Sequence, residues 1–158
     1  MYESRALLRH TLATLAYRGG KTIRDAPANF AEYGGPDSTR PAGKILAHMG
    51  DLMDWALSMA DGSRQWNDST PLPWQNEGDR FFAALKKFDD YLASDNEVKA
   101  PIEKLFQGPV ADALTHVGQL AMLRRMAGYP IRGENYYAAE ITVGRVGADQ
   151  AAARKPFA

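Results

Sequence analysis

Residues 108–128, GPVADALTHVGQLAMLRRMAG, decide how the rest of the chain is read. Gly108 and Pro109 suit the N-cap and first turn of a helix, where proline's fixed φ and missing N–H cost nothing. Gly128 supplies the stop, and Arg124 and Arg125 suit the negative end of the helix dipole. Between these limits Ala113, His116, Leu120 and Leu123 fall three or four residues apart, so one face is apolar except for an imidazole. Asp112 stands one turn before His116 on nearly the same face. Such a helix needs partners to cover its stripe.

Those partners lie upstream. Pro101 opens a short turn of helix, and before it Phe81, Leu85, Phe88 and Leu92 recur at spacings of four, three and four residues, which predicts a third helix from about residue 76. Residues 63–74, with Pro71 and Pro73, have no period and read as a loop. Ile45, Met49, Leu52, Ala56 and Met59 mark the buried face of a second helix, with Ser38 or Thr39 as N-cap, Pro41 in its first turn and Gly62 as its stop after Asp61. Leu8, Leu12, Leu15 and Ile23 mark a first helix over residues 3–26, ended by Pro27. Gly19 and Gly20 weaken it by roughly 1 kcal/mol each and invite a kink. Residues 28–40, with Gly34, Gly35 and Pro36, read as a loop.

Four amphipathic helices without strand alternation predict an all-α four-helix bundle over residues 1–128. Residues 129–158 lack a helical period but carry Tyr136, Tyr137, Ile141, Val143 and Val146. This irregular C-terminal tail is expected to pack on the bundle or on a second subunit.

Composition narrows the function classes. The 158 residues are 45% hydrophobic and 24% charged, enough for one core without disulfides. Lys plus Arg and Asp plus Glu both number 19, so no basic field exists to hold nucleic acid or an anionic membrane. The absence of Cys removes disulfides, thiolate ligands and a cysteine nucleophile together. The opening stretch MYESRALLRHTLATL, with Glu3 and Arg5, predicts no signal peptide, and no run is long enough to span a bilayer. A cytoplasmic location is expected by elimination.

His48 lies beside Met49 and Leu52 on the apolar side of the second helix, while Asp51 and Asp54 are expected to turn outward. Together His48, Asp112 and His116 can grip one divalent ion inside a bundle, since side chains four apart on one helix and one from a facing helix converge. Two imidazoles and a carboxylate leave coordination positions open for water or substrate. Gln119, one turn after His116, is expected to orient a ligand or a bound water. The general base stays open among Asp51, Glu134 and Glu140, and no residue is assigned as catalytic. The tail is expected to fold Glu140, Tyr136 and Asn135 over the metal mouth.

The segments HMGDL at 48–52 and HVGQL at 116–120, continuing through LRRMAG at 123–128, resemble the DinB-like superfamily, whose last helix typically reads His-x-x-x-His-x-Gly-Gln. The resemblance covers roughly residues 3–128. It implies a four-helix bundle, often dimeric, that binds Zn or Ni through one His of the second helix and two of the fourth. Mn or Fe would also suit such a site. It further implies kinship with metal-dependent thiol S-transferases and maleylpyruvate isomerases, which use low-molecular-weight thiols. By position His48 and His116 match two of the ligands, and Asp112 replaces the third. A carboxylate there lowers the charge of the site and makes a bound water less acidic. The expectation is a homodimeric metalloenzyme that acts on a small-molecule substrate by transferring an external thiol or by hydrolysis.

A rival reading makes the same bundle a non-catalytic ligand-binding or dimerisation domain whose metal site Asp112 has weakened. Taken singly, a His on an apolar face is more often a hydrogen-bonded core residue, and Asp112 equally suits the first turn of a helix starting at Pro109. His10 lies off its helix's stripe and reads as a surface residue. Gly20-Lys21-Thr22, Ser94-Asp95-Asn96 and Gly144-Arg145-Val146-Gly147 each echo a known motif but lack its surrounding pattern. Trp55, Trp66 and Trp74 are expected to serve packing ahead of pocket lining.

Overall fold

The apolar stripes are buried where their spacing places them: Leu8, Leu12 and Leu15; Ile45, Met49 and Leu52; Phe81, Leu85 and Phe88; Ala113, Leu120 and Leu123 all enter one core. The structure, a computed structural model, describes residues 2–34 and 40–158. Helix α1 (Tyr2–Ile23) leads through a 3-10 turn (Ala28–Glu32) to α2 (Ala42–Asp61), α3 (Trp74–Ala93), α4 (Ile102–Leu105) and α5 (Ala111–Met126). The intervening Phe106–Val110 forms a π-helical turn, so α4 and α5 are one rod and the chain is an all-α bundle of four rods. The described residues contain no strand, only a lone antiparallel bridge between Glu134 and Pro156. No helix among them is long and apolar enough to cross a membrane.

The packing order positions the site. α1 packs on α3 and α5, and α2 packs on the same two. α1 and α2 therefore share one diagonal of the bundle, and the connection between them has to cross its end. That crossing is not the plain loop expected over residues 28–40: its 3-10 turn buries Phe30 against Trp74, ring centroids 5.1 Å apart. A single aromatic carries no period, which is why spacing does not reveal the turn. The arrangement sets α2 beside α5, and so His48 beside His116.

The ends of the helices depart from expectation where distant residues intervene. α1 runs unbroken through Gly19 and Gly20 and stops at Ile23, short of residue 26. Asp25 takes a left-handed backbone (φ 60°), a conformation that Asp tolerates better than most residues. The freed carbonyls are satisfied from other helices: Arg124 donates to the carbonyls of Lys21, Thr22 and Arg24, and the Trp74 indole donates to Ile23 O at 3.1 Å. Arg124 thus serves the end of α1 as well as Tyr129 O beyond its own helix, whereas Arg125 stays exposed. Burial lowers the guanidinium's pKa, and Asp25 works against that shift. Arg124→Ala strands these buried acceptors and is expected to cost about 2–3 kcal/mol. For a chain of this size that is a fall in Tm of roughly 4–12 °C, measurable by thermal denaturation.

Gly62 and Gly128 close α2 and α5 as expected, with φ of 88° and 89° that other residues rarely adopt. The Ser38 and Thr39 N-cap expectation lies outside the described residues; within them α2 begins after Pro41 with no side-chain cap. α3 starts at Trp74 rather than near residue 76. Gly108 and Pro109 do not restart the chain. They sit inside the π turn, whose wider hydrogen-bonding pattern accommodates proline's missing N–H.

Residues 129–158 lie on the bundle. Val146 enters the core, and Glu134 is buried against α1, where it accepts from the Tyr17 hydroxyl at 2.8 Å and from Lys21 Nζ at 2.7 Å. Burial and the Glu134 carboxylate push the Tyr17 phenol up to about 12, so it remains a donor at neutral pH.

Candidate metal centre

Helix geometry makes the centre. Asp112 and His116 stand one turn apart on α5, and the apolar residues flanking His48 on α2 turn its ring towards them. The three side chains each place one donor atom so that all lie within 4.8 Å of one another. The Asp112 carboxylate spans the two rings: Oδ2 lies 3.5 Å from His48 Nε2 and Oδ1 lies 3.4 Å from His116 Nε2. The imidazoles meet edge to face with centroids 4.9 Å apart.

These spacings exceed ordinary hydrogen bonds, which fall at roughly 2.7–3.2 Å. They match two donors sharing one ion: ligands about 2.1 Å from a metal at a tetrahedral angle stand roughly 3.4 Å apart. The residues present therefore fit a divalent cation by donor type, and their donor atoms cluster within 4.8 Å of one another. Because α4, the π turn and α5 are continuous, Asp112 lies deep within a rod and not in its first turn. The dipole explanation for this carboxylate consequently falls away. Its side chain is 47% exposed, which leaves one side of the centre open to solvent.

Gln119, one turn after His116, contacts its ring. Its Oε1 lies 2.7 Å from His116 Nδ1, a contact that holds the ring with Nε2 towards Asp112. Gln119→Leu is expected to weaken divalent-metal affinity about 10–100-fold while leaving stability nearly unchanged, because the side chain is exposed. A chelator-competition titration beside a melting curve checks both halves.

Asp51 does not turn outward; it is 3% exposed. Its Oδ1 accepts from the Ser69 hydroxyl at 2.6 Å and from Arg80 at 3.2 Å, and its Oδ2 accepts from the Ser69 N–H at 2.9 Å. Arg80 also bonds Glu77 and Ala47 O, and Glu77 accepts from the Leu72 N–H. A Cβ on Gly50 would lie 2.9 Å from Arg80 Nη2, so the bare glycine makes room for the guanidinium. Burial opposes the Arg80 charge, but Glu77 and Asp51 outweigh it and raise its pKa. This network pins residues 63–73 across α2 and stands Trp66 5.6 Å from the His48 ring. Between that segment and α2 opens a cleft of about 590 Å³ onto which His48 faces.

The other expectations divide. Asp51 and Glu134 are both held in structural bonds, and Glu140 pairs with Arg154 at 2.7 Å. Tyr136 packs on Tyr17 and beneath Arg18, and Asn135 caps its own 3-10 turn, Tyr136–Ala138. The tail residues do not line the cleft, so they form no cover over it. Asp54 is exposed, as is His10. Trp74 is a core residue, whereas Trp66 lines the cleft and leans on Trp55. Lys44 and Arg40 also line it and were missed; the signal was Lys44 standing four residues before His48. Comparison with models of known protein families, with curated proteins and with solved structures finds no match to this chain.

Proposed function

We propose that His48, Asp112 and His116 hold a divalent metal ion, and that the protein is a DinB-like metalloenzyme acting on a small molecule by thiol transfer or hydrolysis. The observation that carries this reading is the convergence of three donor side chains from two packed rods beside an open cleft. The DinB-like part rests on the HMGDL and HVGQL segments, which fall on α2 and α5. Zn or Ni follows from that resemblance, and Mn or Fe also suits two nitrogens and a carboxylate. A homodimer belongs to the same proposal.

A bound divalent ion supplies Lewis acidity, lowering the pKa of a water or thiol so that a nucleophile exists near neutral pH. The chain supplies position and environment. His48 and His116 offer nitrogen donors, Asp112 offers negative charge, and Gln119 fixes the His116 ring. Trp66 shields one side of His48 from water. With no Cys in the sequence, thiol transfer draws on an external low-molecular-weight thiol.

Protein purified without added ions is expected to carry near-stoichiometric Zn, Ni, Mn or Fe by elemental analysis. It is further expected to turn over an electrophile with bacillithiol, mycothiol or glutathione, or to hydrolyse a small substrate, and to lose that activity on chelation. Protein that neither carries nor takes up a divalent ion would leave a ligand-binding bundle in place of an enzyme.

A further inference from the structure

The cleft beside His48 carries charge that the metal centre does not explain. Its volume of about 590 Å³ suits a small organic molecule. Lys44 and His48 are four residues apart on α2, hence on one face and about 6 Å apart along the axis. Arg40 precedes the helix and lines the same cleft. Both cations are exposed, and neither makes an ion pair or a side-chain hydrogen bond among the described residues. Arg80, Arg124 and Lys21, by contrast, are all engaged in the fold. Asp51 also lines the cleft, but Arg80 and Ser69 already answer its charge. Among the described residues Asp68 is the one lining carboxylate left to oppose Arg40 and Lys44. Among the described residues the unanswered charge on this wall is therefore net positive.

We propose that the cleft binds a small organic anion, with its carboxylate or phosphate held by Lys44 and Arg40 and its carbon body against Trp66. Its far end then reaches the His48, Asp112 and His116 centre; only this last contact rests on the metal reading above. A guanidinium and an ammonium give charge-assisted hydrogen bonds to such a group, and the Trp66 ring supplies an apolar wall. Lys44 and His48 on one face of α2 place the anionic group and the end facing the centre along the same wall of the cleft.

Calorimetric titration of the whole protein, zinc-loaded and metal-stripped, with benzoate, phenyl phosphate and uncharged benzamide tests this. At least one anion is expected to bind saturably and about tenfold or more tighter than benzamide. The tighter of the two identifies carboxylate or phosphate as the preferred group. An Arg40→Ala, Lys44→Ala double variant is expected to lose about tenfold or more in anion affinity with unchanged zinc content, since both side chains are exposed and neither is a ligand. Asp68→Asn is expected to tighten anion binding. Benzamide binding as well as the anions, no saturable anion binding, unchanged affinity in the double variant or weaker binding in Asp68→Asn would each overturn the proposal. Metal content measured on the same samples separates the two readings. Anion binding through Lys44 and Arg40 without any uptake of zinc, nickel, manganese or iron defeats the metal reading alone, and metal uptake without anion binding defeats this one alone.

Discussion

His116→Ala is expected to lower divalent-metal affinity well beyond the roughly 10–100-fold that follows loss of a supporting hydrogen bond. The substitution removes one of three donors and also strands Gln119, whose carbonyl holds the ring at 2.7 Å. What remains, His48 and a carboxylate that is 47% exposed, competes poorly with water for an ion. The fold should survive, because alanine favours helix and the neighbours Ala113, Val117 and Leu120 keep the stripe apolar. Competition against a chromophoric chelator, read beside a circular-dichroism melt, separates lost binding from lost folding. Unchanged affinity in a folded variant would remove His116 from the site.

Arg80→Ala is expected to be the most destabilising substitution around the cleft, by about 3–5 kcal/mol. Two acids depend on this guanidinium, Glu77 at 0% exposure and Asp51 at 3%. Removing their cation leaves both carboxylates buried with only the hydrogen bonds from Ser69 and the Leu72 N–H to hold their charge. For a chain of this length the loss corresponds to a drop in Tm of roughly 6–20 °C. Adding Glu77→Gln to Arg80→Ala should recover part of it, because a neutral amide tolerates burial without a cation and can still accept from the Leu72 N–H. A double-mutant cycle by urea denaturation measures the coupling. Additive losses would show that the buried acids do not depend on Arg80. The same variant frees residues 63–73, so the fluorescence of Trp66 should shift towards that of exposed tryptophan.

The bundle was legible in the sequence because its evidence is local. Leu12, Met49, Phe88 and Leu120 are each read from neighbours three or four residues away, and all are fully buried. Gly62 and Gly128 are likewise local signals. The end of α1 is not local: the groups that finish it, Trp74 and Arg124, are 51 and 100 residues away from the carbonyls they meet. Gly108 and Pro109 read as a start because proline is poor inside a helix, yet Pro109 and Val110 are buried and the π turn carries the rod through. Tertiary packing overrode the local preference.

The site divides in the same way. Asp112 and His116 are a pair four apart on one helix, and that much is periodicity. Bringing His48 to them depends on which helices pack together, which spacing alone does not say. Asp51 was misplaced because its outward position on α2 is covered by residues 63–73, a segment with no period to announce where it lies. Trp66 was undervalued for that reason, and Lys44 and Arg40 were overlooked because exposed cations carry no signal until a cleft forms around them.

The most direct test is diffraction from zinc-loaded crystals at the zinc absorption edge. The expected result is one anomalous peak about 2.0–2.2 Å from His48 Nε2, His116 Nε2 and an Asp112 carboxylate oxygen. A peak bound elsewhere in zinc-loaded protein, with these three side chains still clustered and nothing between them, would contradict the assignment.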